Sequence, residues 1–222
     1  MTRSSLRHRR RRGGTERGST LIELLAVITL LSLVLGFVYA GVASLRDAVE
    51  GTDRRLQNLS EGRILMATLS KDLRTAIRPA PGASPFVVAD ANHLELYANL
   101  NPTPAPRLLD ISISASDELV ESTTIAGAGA AAPYAYSDYD PDDAEVRLVG
   151  RFVNNDASDP MFTYYDSDGD ELGPTPLTTA QRLAVHSIGI SISVKKESTF
   201  ARNPTVIQNR VRLPNVDYQE VQ

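Results

Sequence analysis

The chain has 222 residues, a net charge of -4 and no cysteine, enough for one core of ordinary size plus an appendage. The missing cysteines exclude disulfides, thiolate metal sites and a cysteine nucleophile. Charge is uneven: residues 1–18 hold seven arginines against one acid, Glu16, and the rest of the chain keeps 16 of the 23 basic and 26 of the 27 acidic side chains. Long-range repulsion therefore opposes nucleic-acid binding by that larger part.

After the arginine block, Leu24 to Leu45 contains no charge, and Thr29, Ser32 and Ser44 are its strongly polar residues. As a helix this stretch is about 33 Å long, enough to cross a hydrocarbon core of roughly 30 Å. Its leucine, valine, isoleucine and alanine content allows the backbone to satisfy itself as a helix in lipid. The positive-inside rule keeps residues 1–18 in the cytoplasm and places residues 46–222 outside, a single pass across the cytoplasmic membrane.

Three readings of this N-terminus compete. A secretory signal would end at a small-residue site such as Val38-Tyr39-Ala40, but the apolar run is longer than such a signal needs. A plain signal anchor fits length and charge but gives no role to Glu23, a carboxylate where membrane insertion costs about 2.5–3.5 kcal/mol centrally; at headgroup level the cost would be small. The third reading rests on Gly18-Ser19-Thr20-Leu21-Ile22-Glu23-Leu24-Leu25 behind a basic leader. This string resembles the processing site of type IV prepilins and type II secretion pseudopilins, with glycine last in the leader and glutamate fifth in the mature chain.

The resemblance implies cleavage between Gly18 and Ser19 by a membrane prepilin peptidase and N-methylation of Ser19. It also implies a filament-assembly role for Glu23, whose carboxylate would pair with the new amine of a neighbouring subunit, since neither charge is stable buried alone. Other pilin or pseudopilin subunits, an assembly ATPase and a platform protein are the implied partners. Ser19 replaces the usual apolar first residue and Ala40 stands where major pilins tend to have proline, departures that suit a minor subunit.

Next, Leu56, Leu59, Met66, Leu69, Leu73 and Ala76/Ile77 recur at three- and four-residue steps with a break around Gly62, predicting an amphipathic helix that stops before Pro79 and Pro81. The predicted organisation is thus a basic leader (1–18), a transmembrane and assembly helix (19–45), an amphipathic continuation (46–78) and an extracytoplasmic β-rich domain (79–222). Within the last, "FVVADANHLELYA" reads as a hairpin around Asp90-Ala91-Asn92. Ile111 and Ile113, the run Val146 to Val153, "MFTYYD", the alternation Ile188, Ile190, Ile192, Val194, and Val211 with Leu213 read as further strands. One helix followed by many short strands gives an α+β fold with antiparallel sheet. The order of these elements, with "KDLRTAIRP", "FTYYDSDGDEL" and the late strand after them, resembles pseudopilin J and minor-pilin W subunits. The segment 126–145, glycine- and alanine-rich and then acidic, reads as a mobile surface loop.

Chemistry beyond the N-terminus has few candidates. Asp166, Asp168 and Asp170 in "DSDGDE" have the oxygen density of a calcium site, but the glycine spacing departs from an EF-hand loop and Asp-Gly is itself a turn signal. His93 and His186 read as edge or surface residues, and no phosphate loop is present. No enzyme and no cofactor is expected. The leading expectation is a minor pilin or pseudopilin of a type IV pilus or type II secretion machine, extending outside the cell or into the periplasm once assembled. The alternative is a single-pass, membrane-anchored binding domain that does not polymerise; an exported hydrolase is the third class.

Overall fold

The computed structural model describes residues 20–100, 105–195 and 203–217. Its elements are α1 (Thr20–Leu73), then β1 (Phe86–Ala89), β2 (His93–Ala98), β3 (Arg107–Ile113), β4 (Glu118–Ile125), β5 (Glu145–Arg151), β6 (Phe162–Tyr165), β7 (Glu171–Leu172), α2 (Thr179–Ala184), β8 (Ser187–Val194), β9 (Thr205–Arg212) and α3 (Pro214–Asp217). A long N-terminal helix followed by antiparallel sheets is the α+β arrangement the sequence predicts. The chain divides into two compact units between Val49 and Glu50.

In the second unit, β1 to β5 form an antiparallel meander, and a second antiparallel sheet has the order β7-β6-β8-β9. Phe152, at φ 63°, ends β5, and the following residues turn onto β8: Val153 bridges Val194, and Asn154 N donates to Ser193 O. Asn155 then takes the place of a missing strand residue. Its Nδ2 donates to Ser191 O at 2.9 Å and Asp159 O at 3.0 Å, while its Oδ1 accepts from Ser193 N at 2.9 Å. Buried backbone groups that would otherwise lose water without a partner are satisfied by this one amide. The expected hairpin at Asp90-Ala91-Asn92 is present, and its tip joins the two sheets: Tyr164 donates to Asp90 O, Asn92 Oδ1 accepts from Met161 N, and Phe162 N donates to Ala91 O.

Leu65, Leu69 and Leu73 of α1 are buried against the inner faces of both sheets, with Leu94, Leu96, Leu109 and Ile111 from the first and Phe162, Tyr164 and Ile188 from the second. Two glycines set how closely the helix approaches. A Cβ at Gly150 on β5 would fall inside the Leu65 side chain, and one at Gly62 on α1 would come within 2.6 Å of Ile207 Cδ1 on β9. Gly62, expected as a break in the helical pattern, is therefore a contact point inside an unbroken helix.

Three expectations change. The helix stops at Leu73, not at residue 78, because Ile77 N donates to Tyr97 O and Ala76 bridges Ala98, so the chain becomes extended before the prolines are reached. The stripe contains Leu65 rather than Leu56, which is exposed. Segment 126–145 is held at its middle. Two short 3-10 turns, Tyr136–Asp138 and Pro141–Asp143, flank Tyr139, which is buried against Tyr97 with ring centroids 5.7 Å apart and donates its hydroxyl to Pro106 O. Burial pushes the Tyr139 phenol well above its ordinary pKa, so it stays a donor across the usual pH range.

Candidate functional site: the N-terminal stretch of the first helix

From Leu21 to Val49, α1 is rich in leucine and alanine and free of proline, so the backbone closes its own hydrogen bonds without tertiary help. Its large apolar side chains face outward all round: Leu21 is 72% exposed, Leu31 55% and Leu45 66%. A helix apolar on every side and buried on none has no core of its own, and its length and composition suffice to cross a membrane. Two hydroxyls inside it are self-satisfied: Thr29 Oγ1 donates to Leu25 O at 2.6 Å and Ser32 Oγ to Ile28 O at 2.7 Å. Gly36 and Gly41 have open space around them.

Glu23 lies in the first turn of this helix and is exposed. There the unsatisfied N–H groups and the positive end of the helix dipole favour a carboxylate. The position therefore offers the acid a local electrostatic gain that the middle of the apolar stretch would not. Gly18 and Ser19, the predicted cleavage and methylation residues, lie outside the described residues.

The other sequence candidates separate into structural roles. In the β6–β7 hairpin, Asp166 Oδ1 accepts from the amides of Asp168 and Asp170 at 3.0 and 2.9 Å, so one oxygen of the proposed calcium trio is already engaged in shaping the turn. Among the described residues, no group of three or more His, Asp or Glu side chains is placed to hold a metal ion. His93 and His186 are far apart in their roles: His93 Nε2 meets Asp110 Oδ2 at 3.1 Å across the β2–β3 ladder, and His186 precedes β8.

A buried acidic pair escaped the sequence reading. Asp72, in the last turn of α1, and Glu121, on β4, are both buried and share Arg147 of β5, whose Nη2 lies 2.8 Å from Glu121 Oε1 but 3.7 Å from Asp72 Oδ2. Asp72 Oδ2 and Glu121 Oε2 are buried without a hydrogen-bond partner among the described residues. Burial, followed by the charge of Glu121, pushes the Asp72 carboxyl up to about 6, against the smaller opposing pull of Arg147 and Lys71. The signal available in the sequence was Glu121 within "ELVESTTI", where alternation would place an acid on the inner face with Leu119.

Residues 14–39 match the family described as the prokaryotic N-terminal methylation motif. No curated protein and no solved structure matches the chain. The matched segment contains Glu23 and most of the outward-facing apolar helix, so sequence motif and geometry coincide. Together they support a type IV pilin-like N-terminus, carried on a helix long and apolar enough to cross a membrane.

Proposed function

We propose that this protein is a minor pilin or pseudopilin, a subunit of a type IV filament. The observation that carries the proposal is the apolar helix from Leu21 onward, exposed on every side and opened by a carboxylate, within the matched methylation motif. In the membrane, lipid covers those side chains. On extraction, helix-to-helix contacts with neighbouring subunits replace the lipid, so neither state leaves the apolar surface in water.

In this reading, prepilin peptidase cuts between Gly18 and Ser19 on the cytoplasmic side, and residues 46–222 lie outside. The ammonium of Ser19 on one subunit pairs with Glu23 of the next, which sets the axial stagger, because a misregistered subunit would bury both charges apart. An assembly ATPase and a platform protein supply the work of extraction. The polar Ser19 and the absence of proline at Ala40 favour a minor subunit, of the pseudopilin J or minor-pilin W type, over the bulk fibre protein.

N-terminal sequencing of the mature chain is the first test. A terminus at Ser19 is expected, and an intact leader on protein that is otherwise folded and membrane-bound would leave a plain anchor. In the same cells, Glu23→Ala should remain membrane-inserted while its recovery in sheared filaments falls at least about tenfold, the equivalent of roughly 1.4 kcal/mol of lost docking free energy. Undiminished incorporation would remove the pairing role.

A further inference from the structure

A cleft of about 570 Å³ lies beside the β6–β7 hairpin, lined by Asp166, Ser167, His186, Ser187, Arg210 and Arg212. Its volume falls within the range typical of small-molecule sites, roughly 300–1,000 Å³. What distinguishes it from ordinary polar surface is the way Arg210 is held. The guanidinium carbon stacks 3.8 Å from the centroid of the Tyr165 ring. Arg210 Nε donates to Ser187 Oγ at 2.9 Å. Tyr165 in turn lies close over Gly189, where a Cβ would come within 3.1 Å of the ring's Cε2. The layers from sheet to solvent are thus glycine, tyrosine ring, guanidinium.

This stack fixes the plane of the fork, while Nε is engaged by Ser187 and the backbone N–H donates to the side chain of Asn209. The two Nη groups make no hydrogen bond or ion pair with another described residue. An arginine whose rotamer is already restricted loses less freedom on binding, and its two outer N–H groups match the two oxygens of a carboxylate. The lining sets two arginines against one aspartate, which favours a monoanion over a dianion. Hydroxyl chemistry adjoins the cation: Ser187 accepts from Arg210 and so retains its own proton to donate, Ser167 can donate or accept, and Asp166 brings an acceptor.

We propose that this cleft binds a hydroxylated monocarboxylate of the sugar-acid class, with the carboxylate on the Arg210 fork and ligand hydroxyls on Ser167, Ser187 and Asp166. The site lies wholly within residues 163–212 and does not depend on the filament reading.

The test uses the full chain in neutral detergent micelles at constant ionic strength, with arginine Nε–H resonances followed by NMR as glucuronate, acetate, inorganic phosphate or N-acetyl-aspartate amide is added. Glucuronate should shift the Arg210 resonance to saturation, with acetate and phosphate at least about tenfold weaker. In Arg210→Lys, which keeps the charge but not the fork, glucuronate affinity, read from the remaining resonances, should fall at least about fivefold. Arg63→Ala, on α1 and outside the lining of the cleft, should bind as the parent does. A shift that never saturates, acetate or phosphate equal to glucuronate, or equal losses in Arg63→Ala and Arg210→Lys would overturn the proposal. So would tighter binding of N-acetyl-aspartate amide, which would assign the cleft to an acidic protein segment.

Discussion

The apolar stretch of α1 up to Val49 and the unit from Glu50 onward use the same amino acids for opposite ends. In the first, every leucine is at least 55% exposed; in the second, Leu65, Leu69, Leu94 and Ile188 are at most 1% exposed. The same side chain thus stabilises two different things. In the folded unit, a leucine stabilises the fold itself, and in the apolar stretch it stabilises only whatever surrounding medium or neighbour removes it from water.

The sharpest way to break that comparison is to truncate one leucine from each region. Leu69→Ala should destabilise the folded unit by about 2–5 kcal/mol, because its surroundings are already close-packed and collapse only partly. Leu31→Ala should leave thermal unfolding of that unit, followed by tyrosine near-UV dichroism in detergent, unchanged within about 0.5 kcal/mol. Equal losses in the two variants would mean that the apolar stretch contributes to the fold after all.

Two glycines sharpen it further. Gly150→Ala puts a methyl into the space of Leu65, which is 1% exposed and has nowhere to turn, so about 1–3 kcal/mol should be lost in a denaturant titration. Gly36→Ala has open space and sits in a helix, where alanine is the better residue by about 1 kcal/mol. In the Gly150→Ala background, Leu65→Ala should cost less than it does alone, with a coupling of about 0.5–3 kcal/mol. Strict additivity would remove the contact from the account of helix placement.

What the sequence disclosed follows the range of the forces involved. Strands with local alternation, such as Ile188 to Val194, and the hairpin at Asp90-Ala91-Asn92 were legible because a pleat and a tight turn are set by neighbours in the chain. The end of α1 was misplaced because prolines signal a local stop, whereas the actual stop comes from β2 drawing Ala76 and Ile77 into an extended pairing. β4 passed unnoticed: "ELVESTTI" carries hydroxyl and acid residues that suit a strand only once Leu119 and Glu121 face the helix. Tyr139, Asn155 and the Arg210–Tyr165 stack depend on partners many residues away. At the candidate site the balance reverses, since Glu23 in its motif is entirely local information, and the structure added its surroundings, an outward-facing apolar helix and a favourable first turn.

The smallest effect concerns a buried acid of the folded unit. Asp72 is held beside Glu121, with Arg147 nearer to the glutamate and Lys71 on its own helix. With its pKa raised from 3.8 to about 6, the folded chain binds a proton more tightly than the unfolded one. The stabilising contribution of that proton is fully present below about pH 4 and is lost as pH rises through about 6, with a slope of at most about 1.4 kcal/mol per pH unit. Asp72→Asn keeps the shape, leaves the Glu121–Arg147 pair intact and removes this titration. The variant should therefore gain on the parent steadily between pH 4 and 7 and level off above, so that the Tm difference moves in its favour across that range. A difference between the two proteins that stayed constant across that range would show that Asp72 is ionised throughout, and that Arg147 neutralises both acids despite its greater distance from one.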